Sequence, residues 1–169
     1  MKTRRARIAD AGAIHQLVAH YAEEGLLLPR PKEEIRQNIS HFLVQEEKRR
    51  VVGCLSLENY GADLAEIRSV AVDAERRNEG LGARLIEFAL LEARRRGIAR
   101  VFAVTDAPQF FERQGFVAAS RYALTEKIER DCRACPKRRT CKLVAVIATV
   151  IPERVILRVF GETSPVPVC

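Results

Sequence analysis

The sequence contains no tryptophan and only seven phenylalanines and three tyrosines among its 169 residues. Proteins that bind single-stranded nucleic acid stack bases on aromatic side chains, so this scarcity argues against such a surface. The formal net charge of +7 does not overturn that argument, because the basic residues are dispersed in short groups such as 48–50 and 94–96. A small anionic ligand explains the surplus of positive charge equally well. We therefore expect no nucleic-acid partner.

Segments that direct a chain into or across a membrane are also lacking. The longest apolar run, at residues 143–151, ends before Pro152 and is far shorter than the ~20 residues of a membrane-spanning helix. The N-terminus is basic but has no apolar stretch typical of a secretory signal. With 47% hydrophobic and 30% charged residues, the composition is typical of a globular domain. These features predict a cytoplasmic, single-domain protein with no membrane partner.

Hydrophobic periodicity predicts an α/β (α+β) fold in which a mixed sheet carries helices on its faces. Residues 1–151 are predicted to form the domain, and residues 152–169 a C-terminal strand and arm. The predicted order of elements is βααβββαβαββ. After the first strand these are helices at 11–24 and 32–40, strands at 42–45, 51–57 and 64–72, a helix at 83–97, a strand at 100–105, a helix at 107–114, and strands at 116–124 and 143–151, with a further strand at 155–160.

A glycine-rich turn between the predicted strand 64–72 and the helix 83–97 is the most informative motif of the chain. Its sequence, Arg77-Asn78-Glu79-Gly80-Leu81-Gly82, places unpaired backbone N–H groups at a helix start, where they and the helix dipole attract an anion. The motif does not have both the third glycine and the later acidic residue of the dinucleotide-binding fingerprint, and it is not a Walker A loop. On its own it fits a diphosphate-binding turn and an ordinary strand-to-helix turn equally well.

This order of elements, with Arg77-x-x-Gly80-x-Gly82 after the fourth strand, resembles the GNAT superfamily of acetyl-CoA-dependent N-acetyltransferases. The segment FFERQGF at 110–116 is similar to that superfamily's F-Y-E-x-x-G-F element. Three shorter segments are similar to the acetyltransferase domain of N-acetylglutamate synthases, namely LLLPR at 26–30, DLAEIRS at 63–69 and DCRACPK at 131–137. The resemblance covers about residues 4–151 and implies the GNAT fold, a mostly antiparallel mixed sheet with helices on both faces.

The resemblance implies that acetyl-CoA is the co-substrate. Its diphosphate is expected on the glycine-rich turn, and its pantetheine arm on the edge of the strand that precedes the turn. Asn78 stands where the superfamily usually has glycine, and asparagine tolerates a left-handed backbone better than most residues. The implied acetyl-CoA-binding residues are Val70, Ala71, Val72, Arg77, Asn78, Glu79, Gly80, Leu81, Gly82 and Ala83.

Glu66 is the candidate catalytic base. An amine must lose its proton before it can attack a thioester, and a carboxylate can accept that proton directly or through water. Strand periodicity puts Glu66 and Arg68 on one face of an otherwise apolar strand, where a charged pair needs a reason. They are interpreted as a base beside a carboxylate anchor, and a structural ion pair at a sheet edge is the alternative. A backbone N–H near Val70 is expected to polarise the thioester oxygen.

The acceptor implied by the resemblance is L-glutamate, acetylated on its α-amino group in the first step of arginine biosynthesis. Its two carboxylates call for at least two cations. Arg30 and Arg68 are the first candidates, because a guanidinium binds a carboxylate through two hydrogen bonds. Lys127 is added by the resemblance to the synthases. An ordinary solvated surface charge is the alternative interpretation of each of the three.

Two other functions remain open on the sequence alone. The chain is also readable as a GNAT enzyme that acetylates a different amine. It is also readable as a non-catalytic acyl-CoA-binding sensor, because Phe111 stands where the superfamily usually has a tyrosine that acts as general acid. Tyr122 is a weaker candidate for that acid, since an aromatic residue on a strand face is the simpler interpretation. The expected partners are the small-molecule substrates, and a homodimer is possible.

Three cysteines, Cys132, Cys135 and Cys141, lie in a basic insert at about 126–142. Thiolates at this spacing can hold zinc if a fourth ligand such as Asp131 is supplied, but the segment has neither a second CxxC nor a histidine. Zinc is therefore possible but not favoured, and reduced thiols or a redox pair are the preferred interpretation. Cys54 is expected to lie in the core.

Overall fold

A computed structural model describes residues 1–120, 123–136 and 138–152. A short strand and two helices precede the main strands of a sheet, and three helices follow between later strands. The elements are β1 (Lys2–Arg5), α1 (Ala11–Glu23), α2 (Lys32–Gln37), β2 (Phe42–Glu47), β3 (Arg50–Asn59), β4 (Leu64–Val72), α3 (Leu81–Arg95), β5 (Arg100–Thr105), α4 (Pro108–Glu112), β6 (Val117–Ala119), α5 (Thr125–Lys127) with a π-helical turn (Ile128–Cys132), and β7 (Val144–Thr149).

Within the described residues, the strands form one seven-stranded sheet in the order β1-β2-β3-β4-β5-β7-β6. All neighbouring pairs are antiparallel except β4 and β5, which run parallel across the α3 connection. Helices cover both faces of the sheet. One core packs α3 and α4 on one face, and a second core packs α1 and α2 on the other. The predicted mixed, mostly antiparallel sheet with helices on both faces is confirmed.

Several predicted boundaries differ from those of the structure. β2 and β3 extend to Glu47 and Arg50, because Lys48 and Arg49 both have positive φ and close a two-residue hairpin. The predicted strand 116–124 is reduced to β6, since β7 pairs only with Val117–Ala119 among the described residues. The helix predicted at 32–40 ends at Gln37 and is followed by a separate 3-10 turn (Ile39–His41). The predicted strand 155–160 lies outside the described residues.

β4 and β5 diverge at the centre of the sheet. Among the described residues their pairing is confined to Leu64–Glu66 with Arg100–Phe102, although β4 continues to Val72 and β5 to Thr105. A bulge accompanies the divergence. Cys54 faces Ala71 and Ser56 faces Arg68, so two residues of β4 lie opposite one residue of β3. The backbone edge of β4 beyond Glu66 is therefore left facing the gap between the two strands.

Ser69 lies in this bulge with a φ of 51°, a left-handed conformation that side chains branched at Cβ adopt at high energy. We expect Ser69→Val to lower the free energy of unfolding by about 1–2 kcal/mol relative to Ser69→Gly, since glycine adopts this conformation freely. Urea denaturation of the two variants measures the difference. Equal stability of both would show that the bulge does not require a left-handed residue.

Candidate active site

β3 and β4 present polar side chains to the sheet face that carries α1 and α2. Glu66 faces Glu58 directly across the strand pair, and Arg68 faces Ser56. Both glutamates are buried, with exposed fractions of 3% for Glu66 and 5% for Glu58. Two buried carboxylates opposite one another repel unless cations lie between or beside them. The structure supplies those cations from β4 and from elements distant in sequence.

Three donors converge on one oxygen of Glu66. Its Oε2 accepts hydrogen bonds from the hydroxyl of Tyr60 at 2.9 Å, from Nζ of Lys127 at 2.9 Å, and from Nε of Arg68. Two of the predicted anchors, Arg68 and Lys127, therefore meet at the predicted base. Each also forms an ion pair with it, so a buried charge is compensated rather than isolated.

A second carboxylate, that of Asp131 in the π-helical turn, closes the group. Its Oδ2 accepts hydrogen bonds from Nζ of Lys127 at 2.7 Å and from Arg68, and it contacts the hydroxyl of Tyr60, whose single proton is shared between Asp131 and Glu66. Burial by itself raises the pKa of Asp131, but these hydrogen bonds and the charge of Arg68 outweigh it and lower the pKa to about 2. Burial, together with the charge of Glu66, raises the pKa of Tyr60, so the phenol stays protonated. We name these residues, Tyr60, Glu66, Arg68, Lys127 and Asp131, the Glu66 cluster.

The third predicted anchor, Arg30, lies beside the Glu66 cluster. Its guanidinium lies 3.0 Å from Glu34 and 3.9 Å from Glu58. Glu58, the strand partner of Glu66, connects the two groups. Burial alone raises the pKa of Glu58, but nearby positive charge and a hydrogen bond from Ser56 lower it overall. Arg30 is therefore connected to Glu66 through the carboxylate of Glu58.

The glycine-rich turn has the left-handed backbone that its sequence predicts. Asn78 and Gly80 have φ values of 69° and 76°, and α3 begins at Leu81, immediately after Gly80. A Cβ on Gly82 would lie 3.0 Å from the ring of Phe110. Packing against Phe110, as well as any bound ligand, therefore limits the size of the residue at this position. The first N–H groups of a helix have no partner within it, and at the start of α3 they follow a turn with no side chain at Gly80.

Arg77 connects this turn to α1. Its Nε donates a hydrogen bond to the hydroxyl of Tyr21 at 3.1 Å, and its Nη2 lies 3.1 Å from Glu24. The hydroxyl of Tyr21 in turn donates to the carbonyl of Val72 at 2.8 Å. The guanidinium is exposed and lies over the Tyr21 ring, 4.8 Å from its centre. Arg77 is thus held at the end of β4, beside the predicted diphosphate site.

Comparison with known proteins identifies the family. Residues 38–118 match the model of the acetyltransferase (GNAT) domain. An uncharacterized N-acetyltransferase of Chlorobaculum tepidum is 41% identical to this chain over 147 residues, which cover 87% of the chain and 95% of that protein. The chain belongs to the GNAT family of acetyl-CoA-dependent N-acetyltransferases.

Two further relatives of this GNAT enzyme have a named activity. An amino-acid acetyltransferase of Mycobacterium tuberculosis is 36% identical over 135 residues, which cover 78% of this chain and 77% of that protein. N-acetylglutamate synthase of Neisseria gonorrhoeae, solved with coenzyme A and N-acetyl-glutamate, superposes with a TM-score of 0.80 at 29% identity. The superposition covers 88% of this chain but only 35% of the synthase, so the chain spans about a third of that relative.

The position of the usual GNAT tyrosine lies in the core of this enzyme. Phe111 is 5% exposed and packs edge-to-face against Phe110 and Phe116. It has no proton to donate. Tyr122, the weaker candidate for a general acid, lies outside the described residues. A general acid is therefore not supplied at position 111.

The cysteine insert lies beside the Glu66 cluster. Cys132 and Cys141 line a small apolar cavity together with Lys127 and Val104, while Cys135 is exposed. Within residues 1–120, 123–136 and 138–152, no group of three or more His, Cys, Asp or Glu side chains is placed to hold a metal ion. Asp131, the suggested fourth ligand, is instead engaged by Lys127 and Arg68. In the same described ranges, no helix has the length and apolar character to cross a membrane.

Thiol reactivity is expected to differ sharply between the core and the insert. Cys54 is fully buried as predicted, and burial raises the pKa of its thiol to about 12. Iodoacetamide at neutral pH should therefore alkylate Cys135 in the native enzyme and leave Cys54 unmodified until urea unfolds the protein. Mass spectrometry of the alkylated peptides measures this order. Equal labelling of the two cysteines without urea would contradict the buried position of Cys54.

Sequence reasoning missed two members of the Glu66 cluster. Tyr60 lies between β3 and β4, outside the strand periodicity that identified Glu66 and Arg68, and no local pattern distinguishes it. Asp131 lies in the segment DCRACPK, and the sequence predicts it only as a metal ligand. The spacing of Lys127 and Asp131, four residues apart, was the available signal that both side chains share one face of a helical turn.

Proposed function

We propose that this GNAT enzyme transfers the acetyl group of acetyl-CoA to the α-amino group of L-glutamate, the first step of arginine biosynthesis. One observation carries the proposal. Arg68 and Lys127, two cations suited to a carboxylate, adjoin the buried carboxylate of Glu66 beside the point where β4 leaves β5. A base next to carboxylate anchors is the arrangement that acetylation of an amino acid requires.

Glu66 is proposed to accept the proton of the substrate ammonium group, directly or through one water molecule. The free amine then attacks the carbonyl carbon of the thioester. The carbonyl oxygen of the thioester accepts a hydrogen bond from the backbone N–H at Val70. As the C–S bond breaks, the electron pair leaves with sulfur, and the nitrogen, which carries one proton more than the amide product, releases that proton to solvent. The thiolate of CoA takes its proton from solvent, because an ordinary thiol pKa of about 8.5 makes it a tolerable leaving group. No side chain at position 111 is needed for that step.

The two carboxylates of glutamate are proposed to divide between the two groups of cations. Arg68 and Lys127 are placed for the carboxylate nearer the base, since both already contact Glu66. Arg30 is placed for the other, because Glu58 connects it to the Glu66 cluster. The carbonyl of Arg30 contacts Nδ1 of His15 at 3.0 Å, which ties the loop that carries Arg30 to α1. A substrate between these cations would bridge the α1–α2 loop and β4.

Acetyl-CoA is proposed to lie along the edge of β4 and across the start of α3. The gap between β4 and β5 gives the pantetheine arm a strand edge at residues 70–72, although Tyr21 already occupies the carbonyl of Val72. Outward-pointing N–H groups at residues 78–83 suit the diphosphate, and Arg77 adds a positive charge. The absence of a Cβ at Gly80 keeps that approach open.

The relatives support an amino acid as the acceptor more directly than they support glutamate in particular. The Mycobacterium protein is an amino-acid acetyltransferase, and the Neisseria structure holds N-acetyl-glutamate. The more similar Chlorobaculum protein carries no named acceptor. A different amine as the acceptor is therefore the alternative that the experiment must decide.

The test is release of CoA from acetyl-CoA by purified protein against a panel of L-glutamate, L-glutamine, L-aspartate and monocarboxylic amino acids. We expect kcat/KM for glutamate to exceed that for every other acceptor. Arg68→Ala should raise the KM for glutamate at least tenfold, because it removes an anchor beside the base. Arg36→Ala is the matched control, since Arg36 pairs only weakly with Glu33 on the surface of α2 at 3.7 Å.

Other outcomes separate the alternatives. Turnover of a different amine at a higher kcat/KM would retain the acetyltransferase chemistry and reject glutamate as the acceptor. An Arg68→Ala variant with unchanged KM for glutamate would show that Arg68 is a structural partner of Glu66 only.

A further inference from the structure

The cations proposed to anchor the acceptor already hold a carboxylate of the protein itself. Oδ2 of Asp131 accepts hydrogen bonds from Nζ of Lys127 and from Nη2 of Arg68, and it contacts the hydroxyl of Tyr60, whose proton it shares with Glu66. Charged donors that converge on a single oxygen are what a bound substrate carboxylate would use. A carboxylate of the acceptor and that of Asp131 therefore need the same donors.

Glu66 and Asp131 differ in how firmly the fold holds them. Glu66 lies within β4, is 3% exposed, and has its backbone fixed between β3 and β5. The side chain of Asp131 is 28% exposed and belongs to the π-helical turn at the solvent side of the cluster. Of the two carboxylates, only that of Asp131 is placed to leave by a change of side-chain rotamer.

Charge balance favours that exchange. The positive charges of Arg68 and Lys127 are matched by the negative charges of Glu66 and Asp131. The carboxylate of a ligand without an ammonium group, added to this group, would leave an excess negative charge in a half-buried site, which is unfavourable where the dielectric constant is low. Departure of Asp131 as the substrate carboxylate arrives keeps the charges matched.

A second partner for Asp131 lies next to it. The guanidinium of Arg130 is 48% exposed, and its Nε lies 3.9 Å from Oδ1 of Asp131. The same side chain lies over the ring of Tyr60, 4.4 Å from its centre. A displaced Asp131 can therefore turn toward Arg130 and remain paired in solvent.

We propose that Asp131 occupies the acceptor-carboxylate site of Arg68 and Lys127 in the free enzyme and is displaced when the acceptor binds. This proposal rests on the proposed function in one respect, that the acceptor carries a carboxylate. Asp131 is then a built-in competitor that lowers the affinity for the acceptor. Asp131 favours substrates with a carboxylate that can replace its own, because an amine without a carboxylate would leave Asp131 in place.

Asp131→Asn tests the competition, since the amide keeps the shape of the side chain but not its charge. Binding of glutarate, a dicarboxylate that lacks the amine, is measured by calorimetry on the CoA-loaded enzyme. We expect the variant to bind glutarate about tenfold more tightly than the native enzyme. Glu129→Gln is the matched control, because Glu129 is an exposed acid two residues away in the same turn and should leave the affinity unchanged.

The result that overturns the proposal is equal or weaker glutarate binding by Asp131→Asn, which would make Asp131 a residue that positions Lys127 and Arg68. Binding of L-glutamate provides a second check. If the variant loses affinity for glutamate but not for glutarate, Asp131 binds the substrate ammonium group and the proposal is also wrong. Thermal denaturation of each variant establishes that it is folded.

Failure of the proposed function gives a different pattern. If another amine proves to be the acceptor but Asp131→Asn still tightens glutarate binding, glutamate is rejected and the displaced-carboxylate site stands. If glutamate is the acceptor and its KM does not fall in Asp131→Asn, the function stands and the role of Asp131 is rejected.

Discussion

Glu66→Gln is expected to lower kcat by about 10²–10⁴-fold, the usual contribution of a positioned general base. Glutamine keeps the size of the side chain and an oxygen that can accept from Tyr60, but it cannot take the proton of the acceptor amine. Arg68 and Lys127 would still be paired with Asp131, so the cluster should remain assembled. CoA release at saturating acetyl-CoA and acceptor measures the change in kcat.

Glu92→Gln is the matched control for removing a buried carboxylate. Glu92 is 1% exposed and pairs with Arg5 and Arg96 on the far half of α3. We expect this variant to lose about 1–3 kcal/mol in free energy of unfolding and to keep its kcat. If Glu66→Gln kept native kcat as well, Glu66 would be a structural partner of the two cations and the base would have to be sought elsewhere.

Gly80→Val is expected to raise the KM for acetyl-CoA by tenfold or more with a smaller effect on kcat. The φ of 76° at this position costs a side chain roughly 1–2 kcal/mol, and a β-branched residue more, so the turn should rearrange to a different backbone conformation. Each 1.4 kcal/mol corresponds to a tenfold change in an equilibrium constant. Binding of acetyl-CoA, measured by calorimetry and by steady-state kinetics, gives the size of the effect.

Gly97→Val provides the comparison within the same helix. Gly97 has a φ of 72° just beyond the opposite end of α3, roughly 25 Å from Gly80 by the rise of a helix. It should lose stability for the same backbone reason and retain its affinity for acetyl-CoA. Comparable loss of affinity in both variants would mean that destabilisation of α3, and not the turn itself, weakens binding.

The central strands were predictable because their signals are local. β4 and β5 begin and end at the predicted residues, since each is a mostly apolar segment of the length of a strand. The left-handed turn at Asn78 and Gly80 was predictable as well, because those residue types tolerate a positive φ. The alternation of side chains along a strand also predicts that Glu66 and Arg68 lie on one face of β4.

Other features of the site depend on contacts between distant parts of the chain. Nothing in the residue types around Ser69 indicates its left-handed bulge, which arises from the register between β3 and β4. The position of Arg30, held by Glu34 and Glu58, follows from how the α1–α2 loop packs against β3. A charged side chain has several possible partners within its reach, and only the packing of the elements selects among them.

The sequence by itself determined the family pattern, the burial of β4 and β5, the glycine-rich turn and the shared face of Glu66 and Arg68. Each follows from a period or a residue preference that operates over a few positions. Only the tertiary structure decided that Lys127, 61 positions from Glu66, and Asp131, 71 positions from Tyr60, join one cluster. Such meetings depend on which elements pack together to bury apolar surface, and a local pattern does not encode that choice.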